Sequence, residues 1–228
     1  MCTLTYFPHK AHQIISSSRD ESPLRPSLSP KTRYIHPHWI TYPTDISGGG
    51  SWIAYNKTSH HVHVLLNGAF QKHKHRPPYG HSRGLIVLNS FSFESLNAFS
   101  SAYILNNIEP FTLVRFSKNK NIEELTWDGN HAFINEYDQT KPHIWSSSTL
   151  YNSEMKRERH GWFNAFIKKQ NVLNPDDLWS FHLNGGKNEA PKNYQICMKR
   201  DTVRTLSIMQ ISLSQSDISH RYLNLETK

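Results

Sequence analysis

Hydrophobic and polar residues alternate over two short stretches at the start of the chain. Alternation over residues 2–7 and again over 13–17 predicts two strands joined by a Pro-His-Lys turn. Three glycines at 48–50 predict a second turn, followed by a strand over 51–56. The next apolar run, HHVHVLLNGAF, predicts the partner of that strand. The sequence therefore begins with two predicted hairpins.

Proline interrupts the segment between these hairpins. The stretch SPLRPSLSPKTRYIHPHW contains prolines too closely spaced for any long helix, because each proline removes a helical hydrogen bond and clashes with the preceding turn. We predict a loop that runs over the surface.

The remaining patterns predict helices between groups of strands. Helical spacing appears in GLIVLNSF and ESLNAFSSAYILNN, and later in MKRERHGWFNAFIKKQ and PDDLWSFHLN, where proline and two acids begin the helix. Strand patterns are FTLVRF, EELTW, HAFINEY, HIWSSS, NYQICMKR, TVRTLSIMQISLS and SHRYLNLE. This order predicts an α+β fold in a single domain over residues 1–228.

Composition narrows the class of protein. The chain has 36% hydrophobic residues and a formal net charge of +8, which indicates a globular, basic protein. Its basic residues are scattered and no nucleic-acid motif accompanies them, so no nucleic-acid partner is predicted. Two distant cysteines, with neither a secretory signal nor a long apolar run, favour a cytoplasmic protein without a transmembrane segment.

Several short motifs follow one another over the first ninety residues. In order these are Met1-Cys2, Ser18-Arg19-Asp20-Glu21, Arg25-Pro26, Gly49-Gly50-Ser51-Trp52, Asn67 and Ser82-Arg83-Gly84-Leu85. Together they resemble the NRDE-motif family, also called the transport and Golgi organisation family. The chain departs from the family at Ser18, where Asn is usual, and at Ser146-Ser147-Ser148, which lacks a family Asn.

The family is similar in turn to the N-terminal-nucleophile hydrolases, so the resemblance implies a four-layered αββα sandwich. It also implies that Cys2 becomes the amino terminus after removal of Met1 and acts as the nucleophile, with its own α-amine as the base. Arg19 would favour the thiolate, Asp20 would hold the amine, and Asn67 would donate to the oxyanion.

The resemblance adds binding residues and a type of substrate. Trp52, Arg83 and Ser147 are the expected binding residues, and the expected reaction is hydrolysis of a linear or acylated amide. A small-molecule amide is therefore the expected partner, and no cofactor is required.

Simpler interpretations apply to the same residues. Cys2 can be an inert thiol, Arg19 and Asp20 an ion pair at a strand end, and Asn67-Gly68 a turn. The alternative function is a non-catalytic protein that binds or traffics haem or an acyl lipid, since family members have been linked to haem mobilisation.

The chain contains fifteen histidines, and we therefore consider whether some of them form a metal site. Three pairs have the spacing that places both rings on one face of a strand, namely His36 with His38, His61 with His63 and His73 with His75. Because no carboxylates lie nearby in sequence and no third ligand is placed, no metal site is predicted.

Overall fold

The computed structural model describes residues 2–118, 120–169 and 174–226, apart from the side chain of Cys2. The strands are β1 Cys2–His9, β2 His12–Glu21, β3 Ser27–Ile35, β4 His38–Asp45, β5 Ile53–Asn56, β6 His61–Asn67, β7 Phe111–Ser117, β8 Ile122–Trp127, β9 Ala132–Tyr137, β10 His143–Ser146, β11 Arg204–Ser214 and β12 Ile218–Asn224. The helices are α1 Arg83–Asn89, α2 Leu96–Ala102, α3 Ser153–Lys169 and α4 Pro175–Asn184, and a short 3₁₀ helix covers Ser90–Ser92.

The chain folds into two compact units. The seven-strand unit comprises Arg25–Thr140 and Ser147–Leu150, and the five-strand unit comprises Cys2–Leu24, Lys141–Ser146 and Tyr151–Lys228. Each unit contains one antiparallel sheet with helices. The single domain over residues 1–228 stays a prediction.

The sheet of the five-strand unit has the order β10-β1-β2-β11-β12, with every neighbouring pair antiparallel. The long strands β2 and β11 lie side by side at its centre. Their register shifts between Thr205 and Ser207, so that Thr205 pairs with Asp20 whereas Ser207 pairs with Arg19. Leu206 is the extra residue of a β-bulge, and it turns Thr205 and Ser207 to opposite faces of the sheet.

Helices α3 and α4 cover one face of this sheet. The core between them contains Ile14, Ile144, Phe163, Leu178 and Phe181, all buried. The start of α4 is fixed by its sequence. Asn174 and Asp177 form a reciprocal capping box at the start of the helix. Pro175 suits the first helical position, because it has no N–H and the N–H there would have no partner in the helix.

The sheet of the seven-strand unit follows the order of the chain, from β3 to β9. Helices α1 and α2 pack on one face of it, and the cluster between them and the sheet includes Leu65, Val87, Leu96, Phe99 and Leu113. Ser82 and Ser95 cap the two helices by accepting hydrogen bonds from backbone N–H groups of the first turn.

Most of the elements predicted from the sequence are confirmed, but two predictions are wrong. The segment predicted as a surface loop, residues 22–39, contains β3 and the turn into β4 instead. Proline is tolerated there because β3 is an edge strand, and Pro30 lies where the β3–β4 register is interrupted. NYQICMKR is not a strand, and its one sheet-like contact is an isolated bridge between Lys199 and Arg204. In the described part of the chain, no helix is long and apolar enough to cross a membrane.

Candidate active site

The β1–β2 hairpin pairs Cys2 with Arg19. These two residues are Cα partners in the antiparallel ladder, and Arg19 is 2% exposed. Directly opposed residues of antiparallel strands share a face of the sheet. The hairpin therefore places the guanidinium of Arg19 on the same face as residue 2.

Asp20 lies on the opposite face of the sheet, the one that α3 and α4 cover. Its carboxylate is fully buried and accepts hydrogen bonds from the hydroxyls of Tyr151 and Thr205, each at 2.6 Å. Burial raises the pKa of Asp20, while the nearby charge of Arg159 and the two donated hydrogen bonds oppose this shift. Asp20 is thus the centre of a buried polar network.

Arg159 extends this network from α3 to β1. Its guanidinium carbon lies 3.6 Å from the centre of the Tyr151 ring, which is a close cation–π contact, and it donates a hydrogen bond to the hydroxyl of Thr3. It also donates to the backbone carbonyl of Tyr194 at 3.2 Å. Because Thr3 follows Cys2, Arg159 fixes the strand immediately after the candidate nucleophile.

The second buried contact on this face joins β1, β2 and α4 through His182. Ser18 Oγ lies 2.6 Å from His182 Nδ1, and Thr5 Oγ1 lies 2.8 Å from Nε2. Burial, with a smaller effect of Arg159, lowers the pKa of His182 to about 3, so the ring is neutral near pH 7. The hydroxyl of Ser18, at the position where the family usually has Asn, therefore forms a structural contact with His182.

Cys197 is the second thiol of the chain, and it lies near Thr205 and Asp20. Burial raises its pKa, and the negative charge of Asp20 adds to this effect. A raised pKa lowers the thiolate fraction, so Cys197 is expected to react slowly with electrophiles.

Asn67 and Ser147 lie together in the seven-strand unit. Asn67 ends β6, and its backbone carbonyl accepts a hydrogen bond from Ser147 Oγ at 2.7 Å. The next residue, Gly68, has a φ of 86° and donates its N–H to the carbonyl of Pro110. Ser147 therefore holds the end of the strand that carries Asn67.

The glycine motifs of the same unit contact each other. A Cβ on Gly50 would lie 2.2 Å from the carbonyl carbon of Gly84, and the N–H of Ser51 donates to the Gly84 carbonyl at 3.0 Å. Two of the motifs noted in the sequence are thus one packing contact, in which no side chain fits.

The two other expected binding residues, Trp52 and Arg83, both form contacts within the fold. Trp52 is 5% exposed, and its carbonyl accepts a hydrogen bond from Leu65. Arg83 begins α1, forms a 2.8 Å ion pair with Glu109 and donates to the carbonyl of Pro110 at 3.0 Å.

The three histidine pairs differ in their surroundings. The first spans the turn of the β3–β4 hairpin and the third lies in the loop before α1, so the prediction that each pair shares one strand face is wrong for both. In the second pair, on β6, His63 contacts Ser90 at 2.7 Å. In the third, His73 and His75 both contact Glu109. Among the described residues, no group of three or more His, Cys, Asp or Glu side chains is arranged to hold a metal ion.

Sequence reasoning did not find Tyr151, Arg159, His182 or Thr205. These residues lie 131 or more positions away from their partners on β1 and β2, and no local pattern marks them. A buried charge needs compensating partners. Given a strand that carries Arg19 and Asp20, partners were therefore to be expected, although not their positions.

The fold is that of the N-terminal-nucleophile hydrolases, as predicted. Penicillin V acylase from Agrobacterium tumefaciens superposes with a TM-score of 0.52 at 6% identity, over 99% of this chain and 86% of the acylase. Two variant structures of the conjugated bile acid hydrolase from Clostridium perfringens each superpose with a TM-score of 0.50 at 8% identity, over 100% of this chain and 93% of the hydrolase. The mixed α+β prediction is confirmed by these similarities.

The chain belongs to the Transport and Golgi organisation 2 family, whose model matches residues 1–222. The family predicted from the short motifs is therefore confirmed over nearly the whole chain. Among curated protein sequences, none matches this chain significantly.

Proposed function

We propose that the protein is an N-terminal-cysteine hydrolase that cleaves the C–N bond of a linear or acylated amide. The observation that carries this proposal is the pairing of Cys2 with the buried Arg19 across the first hairpin. A fixed positive charge beside a thiol favours the thiolate, which is the reactive form. The fold shared with an acylase and a hydrolase supports the same proposal.

The reaction requires removal of Met1, which leaves the thiol and a free α-amine on one residue. The amine takes the proton of the Cys2 thiol while sulfur attacks the amide carbonyl, giving a tetrahedral oxyanion. The C–N bond then breaks, and the ammonium returns the proton to the leaving nitrogen. Water, deprotonated by the same amine, hydrolyses the thioester to a carboxylic acid and restores the thiol.

Asp20 is assigned to the α-amine. Each carboxylate oxygen has two lone pairs, and Tyr151 and Thr205 occupy one on each oxygen, so Asp20 retains acceptor capacity. This capacity suits it to orient an ammonium or amine group.

Asn67 is assigned to the oxyanion, to which its side-chain N–H₂ would donate. Loss of one such donor has cost about 3 kcal/mol of transition-state stabilisation in other enzymes. The contact of Ser147 with the Asn67 carbonyl supports this role by fixing the strand end.

The test begins with the mass of the purified untagged protein, and continues with rapid alkylation by iodoacetamide at neutral pH. We expect a mass without Met1, and one fast-reacting thiol that maps to Cys2. A panel of amides, including penicillin V and a conjugated bile acid, is then screened for hydrolysis, with hydroxylamine added to trap the thioester.

The chain provides a matched control because it contains two cysteines. Cys2→Ala should abolish turnover and leave the unfolding transition in place, whereas Cys197→Ala should retain turnover. Retained Met1, or equal turnover by Cys2→Ala and the wild type, would exclude the proposed mechanism.

The alternative is a non-catalytic protein that binds haem or an acyl ligand on the same scaffold. The observation that favours it is the contact between Ser18 and His182. This position of the motif, where the family usually has Asn, therefore has a structural partner in this chain. A spectrophotometric haem titration of the wild-type protein tests this alternative. A haem absorption band no stronger than that of an unrelated basic protein would exclude haem.

A further inference from the structure

Three residues with hydroxyl groups share with Arg19 the face of the five-strand sheet that does not carry Asp20. Ser17 precedes Arg19 by two residues on β2, Ser207 is its partner on β11, and Tyr222 on β12 pairs with Met209, the next residue of β11 on this face. Directly opposed side chains in antiparallel sheets lie about 5 Å apart at Cβ. Ser207 therefore lies directly beside Arg19, and the three hydroxyls form one cluster on this face of the sheet.

The three hydroxyls of this cluster have no hydrogen-bond partner among the residues that the structure describes. The oxygens of Ser17, Ser207 and Tyr222 are all buried, and the two serines are at most 1% exposed. A buried polar group without a partner destabilises the folded state. Three such groups beside one buried cation indicate a site built for a polar ligand.

The opposite face shows that this strand pair can satisfy its polar groups. There, Ser16 accepts a hydrogen bond from Gln210 at 2.8 Å, and Thr205 donates to Asp20. Among the described residues of this sheet, the buried hydroxyls without a partner all lie on the face of Arg19. The β-bulge at Leu206 brings Ser207 to this face, whereas Thr205 stays on the other.

We propose that Arg19, Ser17, Ser207 and Tyr222 bind the carboxylate of a ligand. Hydroxyls can donate to an anionic oxygen, and a guanidinium binds a planar carboxylate with two parallel hydrogen bonds. The same set would not favour a cation. Ser17 pairs with the apolar residues Leu4 and Met209, and this part of the face suits a ligand that carries its carboxylate on an apolar body.

The register places this carboxylate site beside residue 2, since Cys2 is the other partner of Arg19. If the proposed function holds, the substrate is an amide with a carboxylate near the scissile bond, and this deduction alone rests on that function. The binding site itself requires no turnover.

The experiment measures binding to Cys2→Ala protein, in which hydrolysis is impossible. The probes are sodium benzoate, the neutral isostere benzamide and inorganic phosphate, each titrated by calorimetry. We expect benzoate to bind at least tenfold more tightly than benzamide or phosphate. Equal binding of benzoate and benzamide, tighter binding of phosphate, or no binding of benzoate would overturn the proposal.

Single substitutions identify the residues. In the Cys2→Ala background, Ser17→Ala, Ser207→Ala and Tyr222→Phe should each weaken benzoate about tenfold, because each removes a hydrogen bond to a charged group. Ser212→Ala is the matched control, since Ser212 lies on β11 but contacts His12 on the other face. An unchanged benzoate affinity in all three variants would overturn the assignment.

A second measurement distinguishes a binding role from a structural one. Without a ligand, Ser17→Ala and Ser207→Ala should unfold at the same temperature as their parent or a higher one, because each removes an unsatisfied buried hydroxyl. A clear loss of stability in both would show that the hydroxyls already have partners, and would also overturn the proposal. Neither result bears on whether Cys2 catalyses hydrolysis.

Discussion

The hydroxyl of Ser18 lies 2.6 Å from Nδ1 of His182, so a residue of the second strand is tied to a helix 164 positions later in the chain. With Thr5 on the other ring nitrogen, both nitrogens of a neutral, buried imidazole have a partner. The family usually has Asn at position 18. In this chain, Ser18 contacts His182 on the face of the sheet that α3 and α4 cover.

Ser18→Ala should destabilise the protein, because it leaves Nδ1 of His182 buried without a partner. We expect a loss of about 1–3 kcal/mol in the free energy of unfolding, measured with urea. Ser18→Asn, which restores the family residue, should also destabilise the protein, because a larger side chain must fit against a fully buried ring. A Ser18→Asn protein as stable as the wild type would contradict this account.

Acid should destabilise the native state through His182. Its pKa is about 3 in the folded protein and about 6.5 in the unfolded chain, so the unfolded state binds an extra proton between these values. The contribution of His182 is complete above pH 6.5 and is lost as the pH falls towards 3, by about 1.4 kcal/mol per pH unit.

His182→Gln removes this proton-binding site. The slope of the free energy of unfolding against pH should therefore decrease over that range, by at most the contribution of one proton, about 1.4 kcal/mol per pH unit. Urea denaturation at pH 4.5, 5.5, 6.5 and 7.5 measures the slope. His131→Gln, at a site where the side chain is 77% exposed, is the control for loss of a histidine. Equal slopes for wild type and His182→Gln would contradict the prediction.

Tyr151→Phe and Thr205→Val each remove one donor from the Asp20 carboxylate. Each should cost about 1.5–3 kcal/mol, the usual range for a hydrogen bond to a charged group. Tyr151→Phe keeps the ring beneath Arg159, so the cation–π contact remains. A double-mutant cycle measured by denaturation should show non-additivity, because both donors act on one carboxylate. Additive losses would show that the two contacts are independent.

Two glycines should respond in opposite directions to replacement by alanine. A Cβ on Gly161, in the middle of α3, would contact nothing within 4 Å, so Gly161→Ala should stabilise the helix by about 1 kcal/mol. A Cβ on Gly50 would lie 2.2 Å from backbone, so Gly50→Ala should destabilise the protein strongly. Thermal unfolding should show a rise of about 2–4 °C for Gly161→Ala. A rise for Gly50→Ala would contradict the packing described here.

The sequence was sufficient to predict the first hairpin, because alternation in β1 and β2 is regular and a hairpin returns to its start. This also placed the Arg19 end of β2 beside Cys2. Alternation further implies that Asp20 faces away from Arg19.

Other features depend on tertiary contacts and could not be predicted. The β3–β4 hairpin was missed because proline spacing suggested a loop, whereas the edge position of β3 tolerates Pro30. Tyr151 and Thr205 meet Asp20 only because separate segments pack around β2. No periodicity in the sequence encodes that contact.

The β-bulge at Leu206 makes the length of β11 as important as its composition. Thr205 and Ser207 are two positions apart and would share a face in a regular strand, but one contacts Asp20 and the other pairs with Arg19. Deleting one residue here would leave the sequence almost unchanged, yet rotate one of these hydroxyls away from its place. Homologues that keep both sides of the sheet polar are thus expected to vary in residue type along this strand but not in residue number.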